Sequence, residues 1–340
     1  MRLRMGWFMI ALASMLWVTA CGGNQNSASD KQAGTEVPSG TVTLYTSVPE
    51  SLANEFTAKF QEKYPKVNVT IYRGDTTDIM VKMQTEKKAN AVSADVVWVA
   101  DVTAAEGLKQ RELLDSYDSP EGKALPDDVK DPGGFWYGSR LINLVVAYNT
   151  LQVKELPKSW KDLIDPKYAK KVVVPSANAG SVLYGVGTVI QSDEYGWDYF
   201  KQMKSNGAIM VKNNNDAAQR IVTGEMQIGM VLDYIVTNLK DNGSPIDYII
   251  PQEGVLTVTS PIAIAKDSKN KALAQLFLDF TISKEGQSIL ASQSVVPVRS
   301  DIETPEGVPT PDELKRFPGN AEYVSEHADE IKTQFDEIFK

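Results

Sequence analysis

The sequence predicts an α/β protein of two doubly wound lobes joined by hinge strands. Three observations carry that reading. Strand and helix signals alternate through residues 42–100, as in an open sheet with helices on its faces. A strand followed by two helices stands late in the chain, at residues 258–291, and reads as the chain returning to complete a lobe it had left. About 300 residues follow the first forty, enough for two ordinary domains.

The amino end reads as a leader and a tether. Arg2 and Arg4 precede a mostly apolar run at 7–18, which is too short for a membrane span and fits a secretory signal over residues 1–20. Val18-Thr19-Ala20-Cys21 has the form of a lipobox, so Cys21 is expected to carry lipid. Residues 21–40 are Gly/Asn/Ser-rich and are expected to form a disordered tether. Cys21 is the single cysteine, so the body of the protein has no disulfide, thiol nucleophile or thiolate metal site. The formal net charge is -9, and losing Arg2 and Arg4 with the leader takes it to -11. That disfavours nucleic acid and anionic membrane surfaces as partners. It leaves a buried, locally basic site open.

In the first lobe a strand at 42–46 is followed by Ser47 and Glu50 at capping-box spacing. Leu52, Phe56, Phe60 and Tyr64 then mark one helix face, and Pro65 ends it. Val67, Val69 and Ile71 alternate as a strand, residues 73–78 are a loop, and 79–88 a helix. The run at 94–100 is of the buried, parallel kind and leads to Asp101 and Thr103. Three loops thus lie at carboxyl ends of strands, where open α/β sheets bind ligands. Two lead into helix N-termini, which favour anions, and Ser47, Thr76 and Thr77 add hydroxyl donors. These residues serve equally as plain N-caps.

Residues 118–134 are rich in Pro and Gly and form a loop, and 142–149 a strand. Arg140, just before that strand, has the planar fork that suits phosphate or carboxylate, or an interlobe ion pair. Ser159 and Asp162 cap a helix, and 172–174 is a strand. Gly180 and Ser181 precede the next helix as a second anion cradle, or as an ordinary turn and cap. Trp197, Phe200 and Met203 stand at helical spacing and pack, and residues 213–216 cap the helix that follows. A buried strand at 228–232 ends in Asp233-Tyr234, and Glu253 stands in the equivalent place one strand later. Such carboxylates can hold sugar hydroxyls, an amine or a metal, or make helix-cap and hinge contacts. The tail at 321–340 is an acidic helix whose Tyr323, Val324, Ile331, Phe335, Ile338 and Phe339 are available to pack, and it is assigned to the first lobe.

Lys266-Asp-Ser-Lys-Asn270, Phe277, Asp279-Phe280, Ser283-Lys-Glu-Gly-Gln287 and Leu290-Ala291 follow an alternating strand. This segment resembles bacterial extracytoplasmic solute-binding proteins of ABC importers, and the resemblance runs through residues 42–298. It is closest to the group of ferric-iron, phosphonate and sugar-phosphate binders. The resemblance implies the type II periplasmic-binding-protein fold, with a hinge near residues 144–148, lobe 1 at 41–143 plus 263–340, and lobe 2 at 144–262. It also implies a monomer, lipid-anchored at Cys21 outside the cytoplasm. The two lobes would close on a small solute and dock on a membrane permease, without a cofactor.

Iron-binding members of that group use paired tyrosines after the strand that here ends at Leu232, where this chain offers only Tyr234 preceded by Asp233. Asp101, Asp233 and Tyr234 would be the set if the solute were ferric iron. The single histidine, His327, lies in the charged tail. Hydroxyl-rich helix starts on both lobes favour a phosphorylated or phosphonate solute, with Asp101, Asp233 and Glu253 holding sugar hydroxyls or an amine. His327 is badly placed for Ser-His-Asp chemistry, and no zinc, Walker or dinucleotide motif occurs, so the chain is not expected to be an enzyme.

Overall fold

The computed structural model describes residues 38–304, 310 and 313–340. The signal peptide, Cys21 and most of the tether expected at 21–40 lie outside the described residues.

The chain builds β1 (Gly40–Thr46), α1 (Glu50–Lys63), β2 (Val67–Arg73), α2 (Thr76–Lys88), β3 (Val96–Trp98), α3 (Val102–Gln110) and β4 (Leu114–Asp115) before crossing in β5 (Tyr137–Asn149). There follow β6 (Val172–Pro175), α4 (Gly180–Ile190), α5 (Gly196–Ser205), β7 (Ile209–Val211), α6 (Asn214–Val222), β8 (Ile228–Leu232), α7 (Asp233–Asp241) and β9 (Ile246–Ile249). The return is β10 (Leu256–Ala265), then α8 (Lys271–Ile282), α9 (Lys284–Ser292), α10 (Ala321–Glu326) and α11 (Ala328–Phe339). The apolar face of α1 is buried as its spacing predicts. Phe56 meets Trp98 edge-on at 5.3 Å and Phe60 meets Phe277 at 4.9 Å. Such rings are the large apolar payload of the first lobe. Pro49, not Ser47, is the N-cap of α1 and makes no side-chain cap bond, so the expected capping box at Ser47 is not formed.

Each lobe has three parallel strands closed by one antiparallel strand of a shared pair. In the first lobe the order is β2-β1-β3, with β10 antiparallel to β3. In the second it is β7-β6-β8, with β5 antiparallel to β8. The shared strands pair with each other from Tyr137↔Ile262 to Leu144↔Leu256. Their register shifts between Ser260 and Pro261, where proline removes a ladder donor.

Residues 144–148 were expected to bend, but Leu144 to Tyr148 pair with β8, and from Val146 onward also with β9. Strand bonded on both edges is the stiff part. The stretch in which β5 pairs only with β10 and the isolated Leu141↔Val296 bridge lies earlier, at residues 138–143.

The tail is the second correction. Its helix α11 packs on α4 and α5 of the second lobe, and α10 touches both α3 and α4. Phe335 is fully buried 5.2 Å from Phe200, and Val324 and Ile331 fill the space over Gly187. The i+4 spacing of Ile331, Phe335 and Phe339 marks an apolar stripe but not the surface that receives it. Phe335→Ala should therefore cost about 3–5 kcal/mol in denaturant unfolding. Hydrogen exchange should speed up in α4 and α5 and leave α1 and α8 unchanged; faster exchange in α1 and α8 instead would return the tail to the first lobe.

Candidate ligand-binding cleft

Between the lobes lies a cavity of about 60 Å³. Four helices begin at its wall: α2 at Thr76, α4 at Gly180, α6 at Asn214 and α7 beside Tyr234. The unpaired N–H groups of such starts make the wall electropositive without any net positive charge on the protein. From the first lobe, Ser47 follows β1, and its Oγ accepts a hydrogen bond from Thr76 Oγ1 at 3.0 Å. Thr46 beneath them is tied to Trp98 O at 2.8 Å and holds the turn. From the second lobe come Gly180 and Ser181, with Asn214 Nδ2 3.4 Å from Ser181 Oγ.

Arg140 reaches the cavity from the shared strand. It is 1% exposed, its Nε lies 3.4 Å from Ser260 Oγ, and its Nη1 is buried with no partner. The guanidinium lies over the rings of Tyr234 at 5.3 Å and Trp98 at 6.0 Å. Burial pulls its pKa down, against the opposing effect of Tyr234.

Asp101 N-caps α3. Its Oδ1 accepts from Ala104 N at 3.0 Å and from the Thr103 hydroxyl, while Oδ2 is buried without a partner. Burial pushes its pKa up. The two lobes meet at this carboxylate, for a Cβ on Gly180 would lie 1.7 Å from Asp101 Oδ2. Only glycine lets the second lobe come this near. Thr77 turns away from the cavity and donates to Asn178 O across the cleft mouth at 3.4 Å.

Neither Thr77 nor Asp101 lines the cavity, and two further expected ligand contacts are spent elsewhere. Asp233 accepts from Asn143 N at 3.1 Å, Asn143 Nδ2 at 2.6 Å and Tyr234 N at 2.8 Å. It fastens α7 to the shared strand and does not line the cavity. Glu253 is far along the second lobe, accepting from the Ser159 hydroxyl and from Tyr195 Oη at 2.7 Å. It follows β9, which adds to the edge of β5 rather than ending at the cleft, so the equivalence to Asp233 fails. Missed in the sequence were Arg73, Asp75 and residues 213–215, all of which line the cavity. Arg73 ends β2, Asp75 lies in the loop after it and residues 213–215 follow β7, so the rule applied to Ser47, Thr76 and Asp101 reaches them too.

The profile of the bacterial extracellular solute-binding proteins matches residues 91–327. The chain belongs to that family. The spermidine/putrescine-binding periplasmic protein 1 of Haemophilus influenzae is 27% identical over 310 residues, covering 86% of this chain and 84% of that one. The periplasmic binding protein AfuA of Actinobacillus pleuropneumoniae, solved with fructose-6-phosphate bound, superposes with a TM-score of 0.81 at 22% identity, covering 88% of this chain and 98% of that one. Iron-bound HitA of Pseudomonas aeruginosa superposes at 0.78 with 24% identity, covering 88% and 99%. The two-lobed fold of this solute-binding protein is thus the fold of these neighbours.

The ferric set is not assembled in this solute-binding protein. Asp233 is held by Asn143, and Tyr234 lies against the Arg140 guanidinium. Among the described residues no group of three or more His, Cys, Asp or Glu comes together. His327 stacks on Tyr323 with ring centroids 4.2 Å apart, at the junction of α10 and α11.

Burial raises the Asp233 pKa from 3.8 to about 6 against the lowering effect of Asn143. The folded protein then holds a proton that the unfolded chain has released, so this contribution to stability is complete below pH 4 and is lost as the pH rises through about 6. The loss is about 3 kcal/mol. Asp233→Asn should remove that slope when unfolding free energies are measured from pH 4 to 7; parallel profiles for the two proteins would refute the assignment.

Proposed function

We propose that this protein captures a small anionic solute, phosphorylated or phosphonate, between its lobes and hands it to the permease of an ABC importer. One observation carries the choice of an anion: the Arg140 guanidinium is buried in the cleft with Nη1 unpartnered. A buried guanidinium with an unsatisfied donor is costly, and Asp233, the carboxylate that acts on it, is already engaged by Asn143, so the free Nη1 calls for an acceptor from outside the protein. Converging helix starts and the hydroxyls of Ser47, Thr76 and Ser181 support the same sign. Ferric iron is the weaker reading, since a buried guanidinium repels a cation.

Capture works by closure. Contacts from both lobes make the closed state the one that the solute prefers, and the ribbon at residues 138–143 takes up the bend. The binding proteins of this family are transport proteins, and the role here is binding and delivery without turnover. The extracytoplasmic position follows from the family, and the lipid anchor on Cys21 would tether the protein, as a monomer, to the cell membrane.

Calorimetric titration with phosphate, methylphosphonate and fructose 6-phosphate, beside ferric citrate, tests the reading. At least one anion should bind one-to-one and be recovered unchanged. Arg140→Met should abolish that binding and leave the ligand-free melting temperature equal or higher, because a matched apolar residue relieves the unpaired charge. A large drop in stability instead would make Arg140 a structural residue. Gly180→Ala should weaken the same anion by about tenfold or more by holding the lobes apart, and unchanged affinity would mean that closure does not need the Asp101–Gly180 approach.

A further inference from the structure

Where two lobes meet, complementary groups usually come together. At one point here the opposite holds. Asp101, at the start of α3 in the first lobe, meets Gly180, at the start of α4 in the second, so closely that a Cβ on Gly180 would lie 1.7 Å from Asp101 Oδ2. Oδ1 is satisfied within the first lobe by Ala104 N and the Thr103 hydroxyl. Oδ2 is buried without a partner, on a residue that is 0% exposed. Six buried side-chain atoms lack a partner among the described residues, and this is the one that bears negative charge.

Nothing around Oδ2 compensates it. Thr76 Oγ1, 3.0 Å from the same Cβ position, gives its proton to Ser47 Oγ. Lys332 on α11 and Tyr184 on α4 feel the charge of the carboxylate without hydrogen-bonding to Oδ2. The start of α4 has no side-chain cap, and its N–H groups attract an anion. That attraction is the smaller effect beside stripping the water from a carboxylate oxygen. Whether Asp101 stays an anion or takes up a proton, the closed arrangement bears a cost. A swing of the second lobe carries Gly180 away and returns water to Oδ2, and the cost vanishes. Glycine at 180 removes the steric obstacle to closure and leaves the electrostatic one.

Resting on the reading that capture works by closure, we infer that Asp101 is an autoinhibitory contact: its second carboxylate oxygen, desolvated by the start of α4, holds the empty protein open until a bound solute drives the lobes together. The empty and loaded proteins then differ in shape, which a clamp that shuts unloaded would not achieve. Removing the charge populates the closed form without solute.

The test is made without any solute. Val81→Cys and Leu156→Cys put one spin label on an exposed site of each lobe of the full chain, and Cys21→Ser removes the single native cysteine. Distances between the labels are read by pulsed electron resonance. The open distance should dominate in the labelled parent. Asp101→Asn keeps the capping oxygen and removes the charge, and it should raise the closed-to-open ratio about tenfold or more. Asp101→Ser caps α3 through a hydroxyl, lacks the second oxygen, and should shift the ratio in the same direction, so the result does not hang on one variant folding. Loss of a negative charge would strengthen anion binding by direct attraction alone, so the solute-free distances decide. A parent that is already closed, or distances unchanged in both variants, overturns the inference. A shift towards the open form makes Asp101 a latch and overturns it too. The anion reading is tested separately by the titrations above, so failure of one is not mistaken for failure of the other.

Discussion

A buried guanidinium with an unsatisfied donor, mounted on a strand that both lobes share, is the constraint around which the molecule is arranged. Arg140 sits where β5 passes between the lobes. Everything next to it is organised to hold a cation without neutralising it. Trp98 and Tyr234 offer ring faces, Ser260 offers one hydroxyl, and the Asp233 carboxylate is engaged by Asn143. Such a site is costly in the free protein, and the cost becomes binding energy when an anion enters.

The shared ribbon must bend without coming apart, and its fastenings explain how. Asn143 is gripped by Asp233 and accepts from Thr257 Oγ1 at 2.7 Å, which ties both shared strands to the start of α7. On the other side Trp98 Nε1 donates to Ser139 Oγ, and Ser139 Oγ donates to Ser260 O, both at 2.7 Å. Buried networks of this kind are fully satisfied and specify one geometry. Between them lies the short stretch in which β5 pairs with β10 on one edge, the stretch that also carries Arg140. On the proposed function, the charge that would meet the solute and the stretch that would bend are neighbours along one strand.

Much of this was legible in the chain. The alternation of strands and helices, the helix face of Leu52, Phe56 and Phe60, and the cavity-lining residues Ser47, Thr76, Gly180, Ser181 and Tyr234 follow from periodicity and from the rule that ligands gather at carboxyl ends of strands, and Arg140 from the chemistry of its guanidinium. The same rule picked out Thr76 and Thr77 after β2 but passed over Arg73 and Asp75 beside them, and applied to β7 it reaches residues 213–215. Asp233 and Glu253 misled for a different reason. A carboxylate after a buried strand looks identical in sequence whether it faces a ligand or a neighbouring strand, and here Asn143 and Tyr195 are the neighbours that decide.

What the sequence determined alone was local: which residues are apolar, at what period, and where each helix begins, since these depend on near neighbours in the chain. Tertiary structure decided what depends on distant parts meeting. It put the tail on α4 and α5, paired residues 144–148 with β8, brought Gly180 against Asp101, and left Arg140 and Asp101 both buried and unjoined. Each of these is a contact between residues far apart in sequence, set by how two lobes pack, and no periodicity encodes which of several matching surfaces will meet.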